Sequence, residues 1–288
     1  MLSEAELDRV CVVLVRARNP SNIGAVARAM HDFGFKGLKV VNEFPVPFEA
    51  AKSAVDASEV MANAMMCASV AEAVADCTLV VGTTSVGERD VQHELFVLAE
   101  GAEKIRAELR KPTHDGEAVL DGAPGSSGGA RRVALLFGSE KTGLSNEELS
   151  HCNWLLTAPM WEHAGVRHPS MNLGQAAAVC LYELVRDGED ATLREPMSQT
   201  RDRIVVENPA AAATLERMTA LLSEVMEKTE YTRRHAHNCS PDHVRRLVRR
   251  IGVDAVDAPV WLGILKQVLW KLTGERDPKK TEADSLRE

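Results

Sequence analysis

Five short apolar runs, each followed by a polar turn and then by helical spacing, constrain this chain more than any other feature. They are VCVVLV (10–15), LKVV (38–41), TLVVG (78–82), VALLFG (133–138) and WLLTAP (154–159). Runs of this length, rich in β-branched residues and bounded by Gly, Pro, Asn or Ser, read as strands. Helical spacing occupies 22–33, 56–75 with a break, 92–110, 145–151 and 172–186. Strands that alternate with helices predict an α/β fold with a largely parallel sheet covered on both faces.

Beyond residue 186 the pattern changes. A polar stretch at 187–208 reads as a linker, helical spacing returns over 209–275, and 276–288 reads as a disordered tail. The expected organisation is an α/β domain over 1–186 and a small all-helical extension. The Gly-, Pro- and Ser-rich stretch 112–131 reads as a flexible loop inserted before the fourth strand run. The opening MLSEAELDRV is acidic and polar, unlike a signal peptide, and no apolar run approaches the roughly 18 residues of a membrane span. The six cysteines are scattered without a CxxC pair, which predicts reduced thiols in a cytoplasmic protein and no metal site.

The chain carries a formal charge of −8, yet 231–250 (YTRRHAHNCSPDHVRRLVRR) holds six arginines and three histidines against one acid, Asp242. A concentrated basic element in an acidic protein suits a polyanion site, and equally a solvated helix face that balances acids elsewhere. Spacing puts Val244, Leu247, Val248 and Ile251 on one side of a helix and Arg245, Arg246, Arg249 and Arg250 on the other. Trp261 and Trp270 fall in the apolar pattern of the last helix and are expected in its core.

Three stretches gather polar groups at strand ends. In NPSNIGAVARAM (19–30), Ser21 or Asn22 can cap the helix and Gly34 can end it. Ile23, Val26, Ala27 and Met30 share a face, and Arg28 lies opposite, pointing to water or to another surface. In LLFGSEKTGLSNEEL (135–149), Gly138 and Gly143 bracket a loop, and Ser145 with Glu148 forms a capping box. A Walker lysine is absent, so a triphosphate site is disfavoured. In PSMNLGQAAAVCLYE (169–183), Asn172 and Gln175 can cap a helix whose small residues permit close packing. Strand ends at 82, 138 and 158 thus all run into small or polar residues, where open parallel sheets bind ligands. With no acidic cluster for Mg²⁺ and no His/Cys set for zinc, the chemistry needs an organic cosubstrate or water.

Together these motifs resemble the SpoU (TrmH-like) branch of the SPOUT methyltransferases, over residues 8–186. The basic helical extension resembles that of the TrmJ subgroup of tRNA ribose 2′-O-methyltransferases. The resemblance implies a parallel-sheet fold with a C-terminal trefoil knot, a homodimer, and S-adenosylmethionine as cofactor. It assigns donor binding to Thr83, Thr84, Ser85, Gly138, Ala158, Ser170 and Met171. It assigns catalysis to Arg28, with Asn22, Glu140, Ser170 and Asn172 as its polar partners, and RNA contact to Arg245, Arg246, Arg249 and Arg250. Ser139 departs from TrmJ proteins that carry arginine there. The implied reaction is 2′-O-methylation of a ribose in RNA, with tRNA nucleotide 32 as the expected acceptor. A ribosomal RNA substrate and an inactive RNA-binding protein are the rival readings.

A ribose hydroxyl must lose its proton as it attacks a methyl group. Neutralising an arginine near pH 7 costs upward of about 7 kcal/mol, so gripping a phosphate bidentately and orienting the hydroxyl is the cheaper role for Arg28. Proton removal by Arg28 stays open beside it, and Glu140 is a weaker candidate base.

Overall fold

The computed structural model describes residues 2–42, 58–85, 92–111, 131–161, 170–186 and 208–274. The expected loop at 112–131, linker at 187–208 and tail at 276–288 lie outside the described residues, save for Arg131 and Asn208 at their edges. Contacts divide the chain into two compact units, Met1–Arg203 and Ile204–Glu288.

The first unit is built on a seven-stranded parallel sheet. Its strands are β1 (Val10–Val15), β2 (Gly37–Val41), β3 (Met65–Cys67), β4 (Leu79–Thr83), β5 (Leu95–Val97), β6 (Val133–Phe137) and β7 (Trp154–Thr157). They lie in the order β3-β2-β1-β6-β4-β7-β5. Every residue of β1, β6 and β7 is buried, as expected of strands covered on both faces. The helices are α1 (Glu4–Leu7), α2 (Pro20–Asp32), α3 (Ser58–Ala62), α4 (Val70–Ala73), α5 (Leu98–Arg110), α6 (Asn146–Leu149) and α7 (Leu173–Val185). Helix α2 buries Ile23, Val26, Ala27 and Met30, the face its spacing predicts. It packs closely on α7, where a methyl group added at Gly174 would come within 2.6 Å of the Ala25 side chain.

Strands β3 and β5 fall inside the expected helical stretches 56–75 and 92–110 and correct them. Both are three-residue strands at the two edges of the sheet. Met65, Met66 and Cys67 carry no β-branching to announce a strand. Val97 passes directly into α5 without a turn, so helical spacing runs through β5 when only the sequence is read. The break in 56–75 is real: Ser69 starts α4 by accepting a hydrogen bond from the Glu72 amide.

The second unit contains α8 (Ala212–Lys228), α9 (Tyr231–Arg234), a 3₁₀ turn at Ala236–Asn238, α10 (Pro241–Ile251) and α11 (Ala258–Thr273). Both α10 and α11 pack on α8 around Leu215, Met218, Val248 and Leu262. Two expectations change here. Trp261 is 41% exposed and Trp270 only partly buried, because Leu262 and Leu269 are the residues α11 turns inward. Helix α10 buries Val244, Val248 and Arg249 and leaves Leu247 and Ile251 exposed. Its inward face is thus rotated from the apolar stripe and takes in an arginine.

Candidate functional site at the strand ends

Strands β6, β4 and β7 are neighbours, and their register sets their carboxyl ends level: Gly82 pairs with both Leu136 and Leu155. Beyond those ends lies a cavity of about 730 Å³, a size that suits a small-molecule ligand. Thr83, Thr84 and Ser85 line it after β4, Gly138 after β6, Ala158 after β7, and Ser170 and Met171 ahead of α7. The structure therefore gathers all seven positions expected to hold a methyl donor. Leu144, Leu156 and Leu173 add an apolar wall, unrecognised in the sequence. Thr83 is braced by donating its hydroxyl to the Leu136 carbonyl at 2.9 Å, and the Thr84 amide donates to the Leu156 carbonyl at 2.9 Å.

The loop after β6 forms one side of the cavity, and two glycines shape it. A methyl group at Gly138 would come within 2.1 Å of the Gly143 carbonyl carbon and 2.2 Å of the Leu144 nitrogen, so only glycine lets the loop fold back on itself. Gly143 has φ +66°, a left-handed value that favours glycine. The Gly143 amide donates to the Ser139 carbonyl at 2.9 Å, and the Ser139 and Thr142 hydroxyls lie 2.8 Å apart. At the far end, Ser145 accepts from the Glu148 amide while Glu148 accepts from the Ser145 amide at 2.6 Å, completing the capping box that the sequence announces.

Arg16, which follows β1, ties this loop to the sheet. Its guanidinium donates to Glu148 Oε1 at 2.5 Å, to Glu148 Oε2 at 2.9 Å and to the Gly143 carbonyl at 3.0 Å. Its backbone holds φ 57°, a left-handed value uncommon outside glycine. Burial pulls the Glu148 carboxyl upward, but bonds from Arg16 and Ser145 outweigh it and hold it below the usual carboxylate range. Sequence reasoning missed Arg16 altogether and took Glu148 only as a cap. The two are 132 residues apart, and only the readable Ser145–Glu148 box hinted that this carboxylate is fixed.

A chain of side-chain hydrogen bonds crosses the rim of the cavity. Asn172 Nδ2 donates to Asn22 Oδ1 at 3.0 Å, and Asn22 Nδ2 donates to Glu140 Oε1 at 2.9 Å. Asn19, rather than Ser21 or Asn22, caps α2 by accepting from the Ser21 amide at 2.9 Å, with Pro20 in the first turn. That leaves the Asn22 amide group free to join two motifs. Asn172 meanwhile caps α7 by accepting from the Gly174 amide at 2.9 Å. Burial pulls the Glu140 carboxyl upward; the Asn22 bond and backbone amides outweigh it, so Glu140 sits below the usual range. A carboxylate held ionised in this way is a good acceptor and a weak base.

Arg28 is exposed on α2, opposite the buried face, and does not line the cavity of its own chain. No ion pair to it is present among the described residues. The structure thus brings Asn22, Glu140, Ser170 and Asn172 to the cavity or its rim, with Arg28 outside the cavity lining.

The four arginines of α10 are placed differently from expectation. Arg245 Nε and Arg249 Nη2 lie 3.1 and 3.0 Å from the two oxygens of Glu216 on α8, and Arg246 lies 2.9 Å from Asp242. Arg249 is 3% exposed, which corrects its expected place on a phosphate-facing surface. Packing against Glu216 offsets the cost of burying it. Of the four, Arg250 is exposed. No group of three or more His, Cys, Asp or Glu side chains that could hold a metal is present among the described residues, and no helix there is long and apolar enough to cross a membrane.

Comparison with known proteins matches residues 9–182 to the SpoU rRNA Methylase family. The tRNA (cytidine/uridine-2′-O-)-methyltransferase TrmJ of Cronobacter sakazakii is 30% identical over 277 residues, covering 95% of this chain and 99% of its own. The Sodalis glossinidius protein of the same name is 29% identical over 269 residues, covering 91% and 92%. The crystal structure of TrmJ from Z. mobilis ZM4 superposes with a TM-score of 0.66 at 25% identity, covering 90% of this chain and 98% of that one.

Proposed function

This chain belongs to the SpoU rRNA Methylase family, and on that premise we propose that it transfers a methyl group from S-adenosylmethionine to a ribose 2′-hydroxyl of RNA. The substrate in this reading is tRNA, with nucleotide 32 of the anticodon loop as acceptor and the cytoplasm as its place of work. Similarity to TrmJ proteins over nearly their whole length supports the tRNA assignment. The observation that carries the reading is the cavity at the carboxyl ends of β4, β6 and β7, with the Asn172–Asn22–Glu140 chain on its rim.

The cavity suits S-adenosylmethionine. Hydroxyls and backbone groups at 83–85 and 170–171 fit a ribose and an amino acid, and the leucine wall fits an adenine. When bound, this group supplies an electrophilic methyl on a sulfonium. The protein's own residues do the rest. Glu140 stays ionised, accepts from Asn22, and keeps the motifs that carry Asn22 and Asn172 in register beside the reacting ribose. Ser170 and Asn172 orient the acceptor sugar. Arg28 grips the adjoining phosphate and turns the hydroxyl toward the methyl group, which calls for no neutral guanidine; the hydroxyl's proton passes to solvent water as the methyl's C–S bond is exchanged for the new C–O bond.

Because Arg28 is exposed and lies outside the lining of its own cavity, the ribose it serves in this reading is the one held at the cavity of a second copy. Exposed Val179 and Tyr182 on α7 support an interface between two copies on this side of the fold. The family's trefoil knot is part of the same reading.

Tritium transfer from labelled donor to purified tRNA and rRNA, followed by mapping of ribose methylation, tests it. Label in tRNA at nucleotide 32 supports the assignment. Label in rRNA alone overturns the substrate, and donor binding without transfer to either RNA overturns the enzyme.

A further inference from the structure

The arginine-rich helix is not the most available cationic surface of the second unit. Three of its four arginines are held by Glu216 and Asp242. The connection between α8 and α10 is different. Arg233, Arg234, His235 and His237 are all exposed there. Neither Arg233 nor Arg234 has an ion-pair partner among the described residues. The nearest acids in sequence, Glu227 and Glu230, are exposed and leave both guanidiniums unbridged.

An aromatic feature stands among these cations. Tyr231, 39% exposed, stacks against His235 with ring centroids 4.6 Å apart and planes tilted by 36°. The pair is held in place locally. The His235 amide donates to the Tyr231 carbonyl at 2.9 Å, and Asn238 Nδ2 lies 3.4 Å from the Tyr231 hydroxyl. Glu230, in the left-handed region at φ 59°, turns the chain out of α8 to present it. No aliphatic side chain larger than Ala236 lies between Tyr231 and His237, so the segment lacks the apolar anchor that a lipid surface would use. Exposed guanidiniums beside rings suit phosphates beside bases. Only unpaired nucleotides can splay a base onto such a ring, because in a duplex the base faces are already stacked.

We infer that Tyr231–His237 is a contact surface for unpaired loop nucleotides of RNA, with bases stacked on the Tyr231–His235 pair and phosphates on Arg233 and Arg234. The inference rests on the RNA-modifying reading above and moves the main contact away from the arginine face of α10.

Fluorescence polarisation with the full-length chain and labelled tRNA, repeated from low to high salt, tests it. Arg233→Ala with Arg234→Ala is expected to weaken binding and reduce the slope of log affinity against log salt by about 1.4, two phosphates on a single strand. Tyr231→Ala is expected to weaken binding about 5- to 150-fold, the worth of one stacked base, with little change in slope. Tyr231→Phe should restore it. A blunt-ended RNA duplex with no unpaired nucleotides should not distinguish Tyr231→Ala from wild type. Thermal midpoint and donor affinity should stay at wild-type values, since these side chains are exposed. Unchanged affinity and slope in the double arginine variant overturn the inference, as does an equal loss on paired and unpaired RNA. So does loss of binding to an acidic peptide or to anionic vesicles while tRNA binding is kept. If the wild-type chain binds no RNA, the enzymatic reading falls as well; if it methylates tRNA and the variants do so with unchanged KM, only this surface is wrong.

Discussion

Replacing Arg16 by Gln tests whether the loop after β6 is held from β1. The guanidinium makes two bonds to Glu148 and one to the Gly143 carbonyl. Bonds to charged groups contribute about 1.5–3 kcal/mol each in isolation. Here the Arg16 side chain is 30% exposed and that of Glu148 is 12% exposed, so solvent screens part of the pair. Gln can also keep one bond, and the whole contact is then worth roughly 2 kcal/mol. Because Gln meets the same left-handed strain at position 16, the backbone cost cancels in the comparison. If donor binding requires the ordered loop, about 2 kcal/mol becomes an affinity loss of at most roughly 30-fold. Calorimetry with S-adenosylhomocysteine reads this directly. A cycle with Glu148→Gln isolates the pair: Arg16→Gln should cost little once the carboxylate is gone. Donor affinity within twofold of wild type, or full additivity in the cycle, would refute the tie between this arginine and the cavity.

Gly138→Ala should abolish measurable donor binding, because the added methyl meets backbone rather than a movable side chain; calorimetry that detects normal binding would contradict the loop geometry. Arg28→Ala should reduce methyl transfer by a hundredfold or more, on the order of a lost charge-assisted contact at the reacting group, while donor affinity is unchanged; near-normal turnover in single-turnover assays would remove its assigned role. Glu140 and Glu148 both sit below the usual carboxylate range. Their ionised forms therefore stabilise the loop fully above about pH 4.3, and this contribution fades as pH falls through the lowered folded values. Donor affinity should stay flat from pH 8 to 5 and decline only in more acid solution; a midpoint near pH 6 would contradict this sign. Glu216→Ala removes the carboxylate shared by Arg245 and buried Arg249. It should destabilise the second unit by about 2–3 kcal/mol, read as a lower thermal midpoint.

The periodicity alone determined the class of fold. Short β-branched runs became β1, β2, β4, β6 and β7, and the Ser145–Glu148 and Asn172–Gln175 signals mark true helix starts. These rules act over a few residues, so a single sequence carries them in full. Strands β3 and β5 escaped because three residues without a turn or β-branched run leave no local trace; edge pairing makes them strands. The position of the cavity depended on strand order, which seats β4 between β6 and β7 although they are distant in the chain. The same holds for Arg16 with Glu148 and for Asn22 with Glu140 and Asn172, pairs joined across more than a hundred residues. Helix α10 makes the point in reverse. Its spacing suggested an arginine face in water, and Glu216 on α8 drew Arg249 inward. Local propensity sets which elements form, whereas burial and charge pairing between distant elements decide which side chains face a ligand. Those long-range contacts exist only once the sheet of the first unit and the helices of the second have packed.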